Sequence, residues 1–318
     1  MRVLTFNSHQ PYLYMLATSL PWTFGVITPR LPSGSTKAWD PQVRPLPGNV
    51  RLYGSVADAL KDGPWDWILT HNVNDLMDAK DVRQPKVFLV HGTLSGRMLQ
   101  DRSRIDRALY LKNLRLLLES MGARVVYISE LKRKDWEIPG EVIRPGLNGR
   151  EYGGYRGDIP GVLQVCNNLK ERGEITGWKT FREVCRDLPH LVVGNNGTLS
   201  LSRKAQGWED LKECLRSYRI YLYTPVYPYE DGYNLASLEA MATGMPIASL
   251  RHPTSPVRDG IEGITAESAE ELRGKIVRLL DKPAEAAAMG ERARIRADAQ
   301  FPLSEFQRAW QSLGARLI

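Results

Sequence analysis

Residues 223–250, YTPVYPYEDGYNLASLEAMATGMPIASL, limit the folds open to this chain more than any other stretch. An apolar, β-prone run, Tyr221-Leu222-Tyr223, leads into a loop with Pro225 and Pro228 that sets two adjacent acids, Glu230 and Asp231, against Gly232. Leu235, Leu238 and Met241 then recur at helical spacing with Ala236, Ala240 and Ala242 between them, which predicts a helix from about Asn234. Gly244 can take the left-handed conformation that closes a helix and Pro246 forbids continuation, so the helix should stop there. Residues 247–250 read as the next strand. The unit is strand, acidic loop, helix, strand.

Such a unit places acidic side chains and open backbone N–H groups at a helix N-terminus, beside the carboxyl end of a strand. In open α/β sheets ligands bind there, and helix N-termini favour anions such as phosphate. Glu239 follows Asp231 by eight residues, on the helix itself. A helix glutamate is ordinarily solvated. Its apolar and small neighbours (Leu238, Ala240, Met241, Ala242) equally suit a lined cleft, where a carboxylate needs hydroxyl or N–H partners of the kind a sugar or ribose supplies.

The run from Asp231 to Pro246, DGYNLASLEAMATGMP, resembles the signature of the retaining GT-B glycosyltransferases of the family 4 type. That signature is an acid, a short glycine-containing turn, then Glu-Ala-Met-Ala-x-Gly-x-Pro, with seven residues between the two acids. The family's first acid is usually Glu; here Asp231 stands at that place with Glu230 before it, so either carboxylate is a candidate. The resemblance implies an α/β protein of GT-B type, two Rossmann-like doubly wound domains facing a central cleft. Residues 1–155 would form the acceptor domain, 160–300 the nucleotide-sugar donor domain, and 301–318 a C-terminal helix packing back on the first.

The implied reaction moves a sugar from a UDP- or GDP-linked donor to a hydroxyl of a carbohydrate or lipid-linked acceptor, with retention of configuration. Asp231 or Glu230 would contact the sugar, Glu239 the ribose, and the N–H groups around Gly232, Tyr233, Asn234 and Leu235 the diphosphate. The nucleotide sugar is a co-substrate, and no further cofactor is expected. Fold does not fix function. A nucleotide-sugar epimerase or hydrolase and a non-catalytic nucleotide-sugar-binding protein remain open alternatives.

At 318 residues the chain can bury two cores of about 150 residues each. No window approaches 18 consecutive apolar residues and Met1 to Val3 leads directly into a strand rather than a signal peptide, so the expected location is cytoplasmic. The three cysteines, Cys166, Cys185 and Cys214, are odd in number and widely spaced, which suits reduced core thiols rather than a disulfide framework or zinc site. The chain carries a net charge of +7, and residues 1–157 hold all of that excess, with 22 Lys and Arg against 15 Asp and Glu. Much of it falls in residues 97–118, which read as one long helix with Arg97, Arg102, Arg104, Arg107, Lys112 and Arg115 opposite Leu109, Leu111, Leu114 and Leu118. A basic amphipathic helix suits peripheral contact with an anionic membrane, and equally a plain solvated face. No nucleic-acid motif accompanies the charge.

In order along the chain, residues 2–7 read as a buried first strand whose following loop, Ser8-His9-Gln10-Pro11, faces the ligand crevice of a doubly wound sheet. His9 is there a candidate for donor phosphate or acceptor, or simply a loop histidine. Further strands are expected at 23–28, 67–70, 87–90 and 124–129, and residues 29–48 read as loop. His91 follows the strand KVFLV, placed for acid–base or hydrogen-bonding work, and the family has a histidine at the matching place. Residues 152–161, rich in glycine, look like the linker.

The run Val162-Leu163-Gln164-Val165-Cys166-Asn167-Asn168-Leu169-Lys170-Glu171-Arg172-Gly173 is positioned like the family's first C-domain strand and phosphate loop. Asn168 stands near the family's Arg, Arg172 near its Lys, and Lys170 can replace the missing charge. A guanidinium grips phosphate oxygens in bidentate fashion, so the exchange is chemically reasonable; a solvated basic turn is the alternative. No Asp-x-Asp occurs in the chain, so no catalytic metal is expected.

Overall fold

The computed structural model describes residues 1–28, 37–197 and 199–318, so residues 29–36 of the expected 29–48 loop lie outside the described residues. Chain contacts divide it into two compact units, one of Met1–Leu94, Ser103–Gly146 and Leu303–Ile318, the other of Ser95–Arg102 and Leu147–Pro302. The exchange between units falls at Gly146 and Leu147, ahead of the 155–160 boundary expected from sequence.

In the first unit the strands are β1 (Arg2–Phe6), β2 (Thr23–Ile27), β3 (Val50–Tyr53), β4 (Trp67–Thr70), β5 (Lys86–Val90), β6 (Arg124–Tyr127) and β7 (Glu141–Val142). In the second they are β8 (Ile159–Val165), β9 (His190–Val193), β10 (Ser202–Arg203), β11 (Tyr218–Tyr223), β12 (Ile247–Leu250) and β13 (Gly263–Ala266). The first sheet runs β3-β2-β1-β4-β5-β6-β7 and the second β10-β9-β8-β11-β12-β13, with the pairings throughout parallel. Both are doubly wound. Their strand order reverses between β1 and β4 and between β8 and β11, the switch points where ligands of such sheets bind.

Strands covered on both faces read as continuous apolar runs, and the second sheet shows why. Leu163, Tyr221 and Ile247 enter one core with Leu238 and Met241, while Val162, Ile220, Leu222 and Ala248 enter another with Leu272 and Ile276. In the first unit Leu4, Phe6, Ile27, Trp65 and Ile68 pack together. The helix Leu303–Ala315 brings Trp310 to stack on Trp67 at 6.1 Å between ring centroids, both fully buried.

Two expected elements differ. Residues 97–118 form two helices, Leu94–Gln100 and Arg107–Ser120. Arg102 turns the chain at φ +46°, and the Asp106 side chain accepts from Leu109 N–H to start the second helix. The glycine-rich stretch at 152–161, read from sequence as the linker, lies within the second unit. Tyr155 donates its hydroxyl to the Arg219 carbonyl at 2.7 Å, Tyr152 and Tyr155 sit against the second core, and β8 begins at Ile159.

Candidate functional site

In the second unit the helix Leu235–Thr243 follows β11 by an eleven-residue loop and ends, as its sequence predicts, on Gly244 at φ +93°. Its start is a reciprocal cap. Asn234 Oδ1 accepts from Ser237 N–H at 2.8 Å while Ser237 Oγ accepts from Asn234 N–H at 2.8 Å. Gly232 N–H donates to Thr254 Oγ1 at 2.7 Å. Two of the amides expected at a ligand are thus bound within the protein, whereas Leu235 and Ala236 N–H, in the first turn, meet no acceptor among the described residues. Gly232 is itself required by crowding, because a Cβ there would lie 2.7 Å from Ser255 N and 2.8 Å from His252 Nδ1.

Asp231 is 1% exposed and Glu239 5% exposed, so neither is a solvated surface carboxylate. Glu239 Oε1 accepts from the Tyr152 hydroxyl at 3.3 Å. The Asp231 carbonyl accepts from the Tyr223 hydroxyl at 3.3 Å, and burial, reinforced by the nearby Glu230 carboxylate, keeps that phenol protonated. Glu230 is partly exposed and its Oε1 accepts from Asp231 N–H at 3.0 Å. Tyr233 packs on Phe301 at 5.1 Å between ring centroids.

The segment after β8 is tied to this loop by two hydrogen bonds. Val226 N–H donates to the Ile175 carbonyl at 2.9 Å and the Thr224 hydroxyl to the Thr176 carbonyl at 2.7 Å. Asn168 holds a left-handed backbone, φ +53°, with its N–H on the Asn195 carbonyl at 2.9 Å. Arg172 caps the short helix Gly173–Thr176 and donates from Nε to Gln100 Oε1 at 3.1 Å. Lys170 is exposed. The sequence-predicted donor residues therefore fall on two adjoining loops at one end of one sheet and, for Leu235 and Glu239, on the helix that follows the second loop.

In the first unit His9 and His91 come together from the ends of β1 and β5, with near-parallel rings 4.8 Å apart. Between the two strands, directly after β4, His71 joins them. Its Nδ1 lies 2.8 Å from His91 Nε2, and its Nε2 lies 2.9 Å from the Thr5 hydroxyl. Asp75, fully buried, accepts from His71 N–H at 2.9 Å and from the Ser8 hydroxyl at 3.1 Å. Burial, and then the charge of His9, pulls the His71 imidazole down to about 3; burial, His9, His71 and the almost fully buried Lys132 hold His91 well below its ordinary value. Both rings are neutral at physiological pH. Sequence reading missed His71, Thr5, Asp75 and Lys132; the available signal was that His71 follows β4 just as His91 follows β5.

Residues 174–282 match the family model described as Glycosyl transferases group 1. A stretch of 115 residues is 31% identical to MMP alpha-(1->4)-mannosyltransferase of Mycolicibacterium hassiacum, covering 35% of this chain and 26% of that protein. The match thus spans about a quarter of that relative's length. Sucrose-phosphate synthase from Thermosynechococcus elongatus superposes with a TM-score of 0.70 at 15% identity, covering 100% of this chain and 99% of that one. Anabaena HepE, solved in complex with UDP-glucose, gives 0.69 at 16% identity over 99% of this chain and 100% of that one. WaaG, a glycosyltransferase involved in lipopolysaccharide biosynthesis, gives 0.60 at 15% identity over 97% and 98%. At such identities the likeness is one of fold. The fold is that of GT-B glycosyltransferase structures, two Rossmann-like parallel-sheet units of seven and six strands, with a Glycosyl transferases group 1 segment in the second.

Proposed function

We propose that the chain is a metal-independent retaining glycosyltransferase that moves a sugar from a UDP- or GDP-linked donor to a hydroxyl of a carbohydrate or lipid-linked acceptor. The observation that carries this reading is the buried pair Asp231 and Glu239, set before and within one capped helix inside the segment that matches Glycosyl transferases group 1. A carboxylate inside a helix of small residues, 5% exposed, is suited to accept two ribose hydroxyls at once. Arg172, Lys170 and the Leu235 and Ala236 amides would meet the diphosphate, whose negative charge grows as the glycosidic bond breaks. Asp231, with Glu230 beside it, would take hydroxyls of the sugar as its anomeric centre becomes oxocarbenium-like. The cations and the helix N-terminus do the work that a metal held by an Asp-x-Asp pair does elsewhere.

Incubating the protein with a panel of nucleotide sugars, with and without glycan and lipid-linked acceptors, tests the reading. Acceptor-dependent release of nucleoside diphosphate, with product of the donor's anomeric configuration by NMR, is the expected result. Breakdown of donor without acceptor, or binding without turnover, rejects it in favour of a hydrolase or epimerase or of a non-catalytic binding protein.

A further inference from the structure

The three aligned groups Thr5, His71 and His91 hold more information than their distances. Thr5 is fully buried in β1, and its hydroxyl hydrogen has one acceptor among the described residues, His71 Nε2 at 2.9 Å. A neutral imidazole carries one N–H and one lone pair. If Nε2 of His71 accepts, Nδ1 must be the protonated nitrogen, and it faces His91 Nε2 at 2.8 Å with the two ring planes 20° from parallel. His91 Nε2 then accepts, which leaves the His91 hydrogen on Nδ1. Each direction leaves one donor hydrogen without a partner: the reverse strands it on the fully buried Thr5 hydroxyl, whereas the forward one leaves it on His91, a partly exposed residue, where a ligand can accept it. The backbone N–H of His71 on Asp75 and the near-parallel ring of His9 hold the two imidazoles in place.

His91 Nδ1 is buried and meets no partner among the described residues. We infer that Thr5 and His71 are positioning residues that fix His91 as its Nδ1–H tautomer, so that His91 meets substrate as a hydrogen-bond donor to an oxygen rather than as a base. The inference rests on the glycosyl-transfer reading only for the identity of that oxygen, a sugar hydroxyl or a phosphate oxygen. The order of protons belongs to the free protein. It reserves one donor, fixed before substrate arrives, which is the condition under which a hydrogen bond to developing charge is most effective.

Long-range ¹H–¹⁵N correlation spectra of the free, ¹⁵N-labelled protein read the tautomers directly, and five histidines in the chain make assignment by single His→Gln variants practical. The expected spectrum has a pyrrole-type Nδ1 and a pyridine-type Nε2 for both His71 and His91. Thr5→Val should remove the bias, so that Nε2–H forms enter the spectra of both, and Thr5→Ser should keep the wild-type pattern. A pyrrole-type Nε2 on His91 in the wild type overturns the inference, as does a Thr5→Val spectrum identical to wild type; if Thr5→Val fails to fold, the wild-type spectrum decides alone. Under turnover, Thr5→Val should lower kcat roughly tenfold with the donor KM little changed, and Thr5→Ser should restore it. The spectrum needs no substrate. A correct spectrum without glycosyl transfer defeats the proposed function alone, and transfer with the opposite tautomer defeats this inference alone.

Discussion

The backbone N–H of Asp231 donates to Glu230 Oε1 over 3.0 Å, so the two neighbouring carboxylates of the acidic loop are not equivalent. Glu230 closes its own turn from the partly exposed side, whereas Asp231 is 1% exposed. Asp231→Asn should therefore lower kcat by about 100-fold or more while changing donor affinity little, because a group on the reacting sugar acts chiefly in the transition state. Glu230→Gln should stay within about fivefold of wild type. Steady-state kinetics of the two variants check the assignment, and the opposite ranking would exchange the roles.

Glu239 should fail in a different parameter. A carboxylate that accepts ribose hydroxyls contributes about 1.5–3 kcal/mol through charged hydrogen bonds, so Glu239→Gln should raise the donor Kd roughly 10- to 150-fold with a smaller effect on kcat. Tyr152→Phe, which removes the phenol donor to Glu239 Oε1, should weaken donor binding by a lesser factor. Calorimetric titration with UDP and GDP measures both; unchanged affinity in Glu239→Gln would take the ribose role from this residue.

Turnover should persist in excess EDTA. The expectation comes from the missing Asp-x-Asp pair and from the basic residues Lys170 and Arg172 on the loop after β8. Loss of activity on chelation, with recovery on Mg²⁺ or Mn²⁺, would assign the diphosphate to an ion.

Acid should destabilise the first unit before its carboxylates titrate. His71 is held neutral down to about 3 when folded and takes up a proton near 6.5 when unfolded. Between those values the unfolded chain binds the extra proton, so stability is full above 6.5 and falls as the pH drops. For His71 the loss between pH 6.5 and 4.5 is on the order of 2.3 kcal/mol, ahead of the range where depressed carboxylates of the same unit, such as Asp62, begin to contribute. Urea midpoints across that interval should decline in the wild type and decline less steeply in His71→Gln, where buried His91 still contributes, whatever that variant's stability at neutral pH.

The basic excess of residues 1–157 motivates a test of membrane contact, with co-sedimentation with anionic vesicles expected at low salt and lost at high salt. The helix Arg107–Ser120 leaves Leu109 and Leu116 exposed, 53% and 56%, beside Arg and Lys side chains. Part of its charge is already spent, since Arg107 pairs with Glu137 at 3.1 Å and Arg115 donates to the Glu137 carbonyl. Absence of binding at low salt rejects membrane contact through this helix.

Where the sequence carried a strong period or an unambiguous stop, the fold was legible. The strand at 67–70 and the helix closed by Gly244 lie where residue pattern places them. The edge strand β3 was not, because Arg51 and Leu52 are exposed and no apolar run marks it. Six-residue helices at Val56–Lys61 and Val73–Asp78 are too short for periodicity to register, although Ser55 and Asn72 cap them. At the acids, the sequence offers the candidates but not the partition of the amides, which depends on Thr254, a residue 22 positions from Gly232. The Thr5–His71–His91 series was invisible for the same reason. Its members are 66 and 20 residues apart, and only the strand order β1-β4-β5 makes them neighbours.

The stacking of Trp310 on Trp67 sets an order of events during synthesis. The main run of the second unit, Leu147–Pro302, is translated before Leu303–Ile318, the segment that completes the first. The earlier half of the molecule must therefore wait, with one face of Trp67 uncovered, while the later half emerges and closes its own core. The unit begun first is the last to be finished.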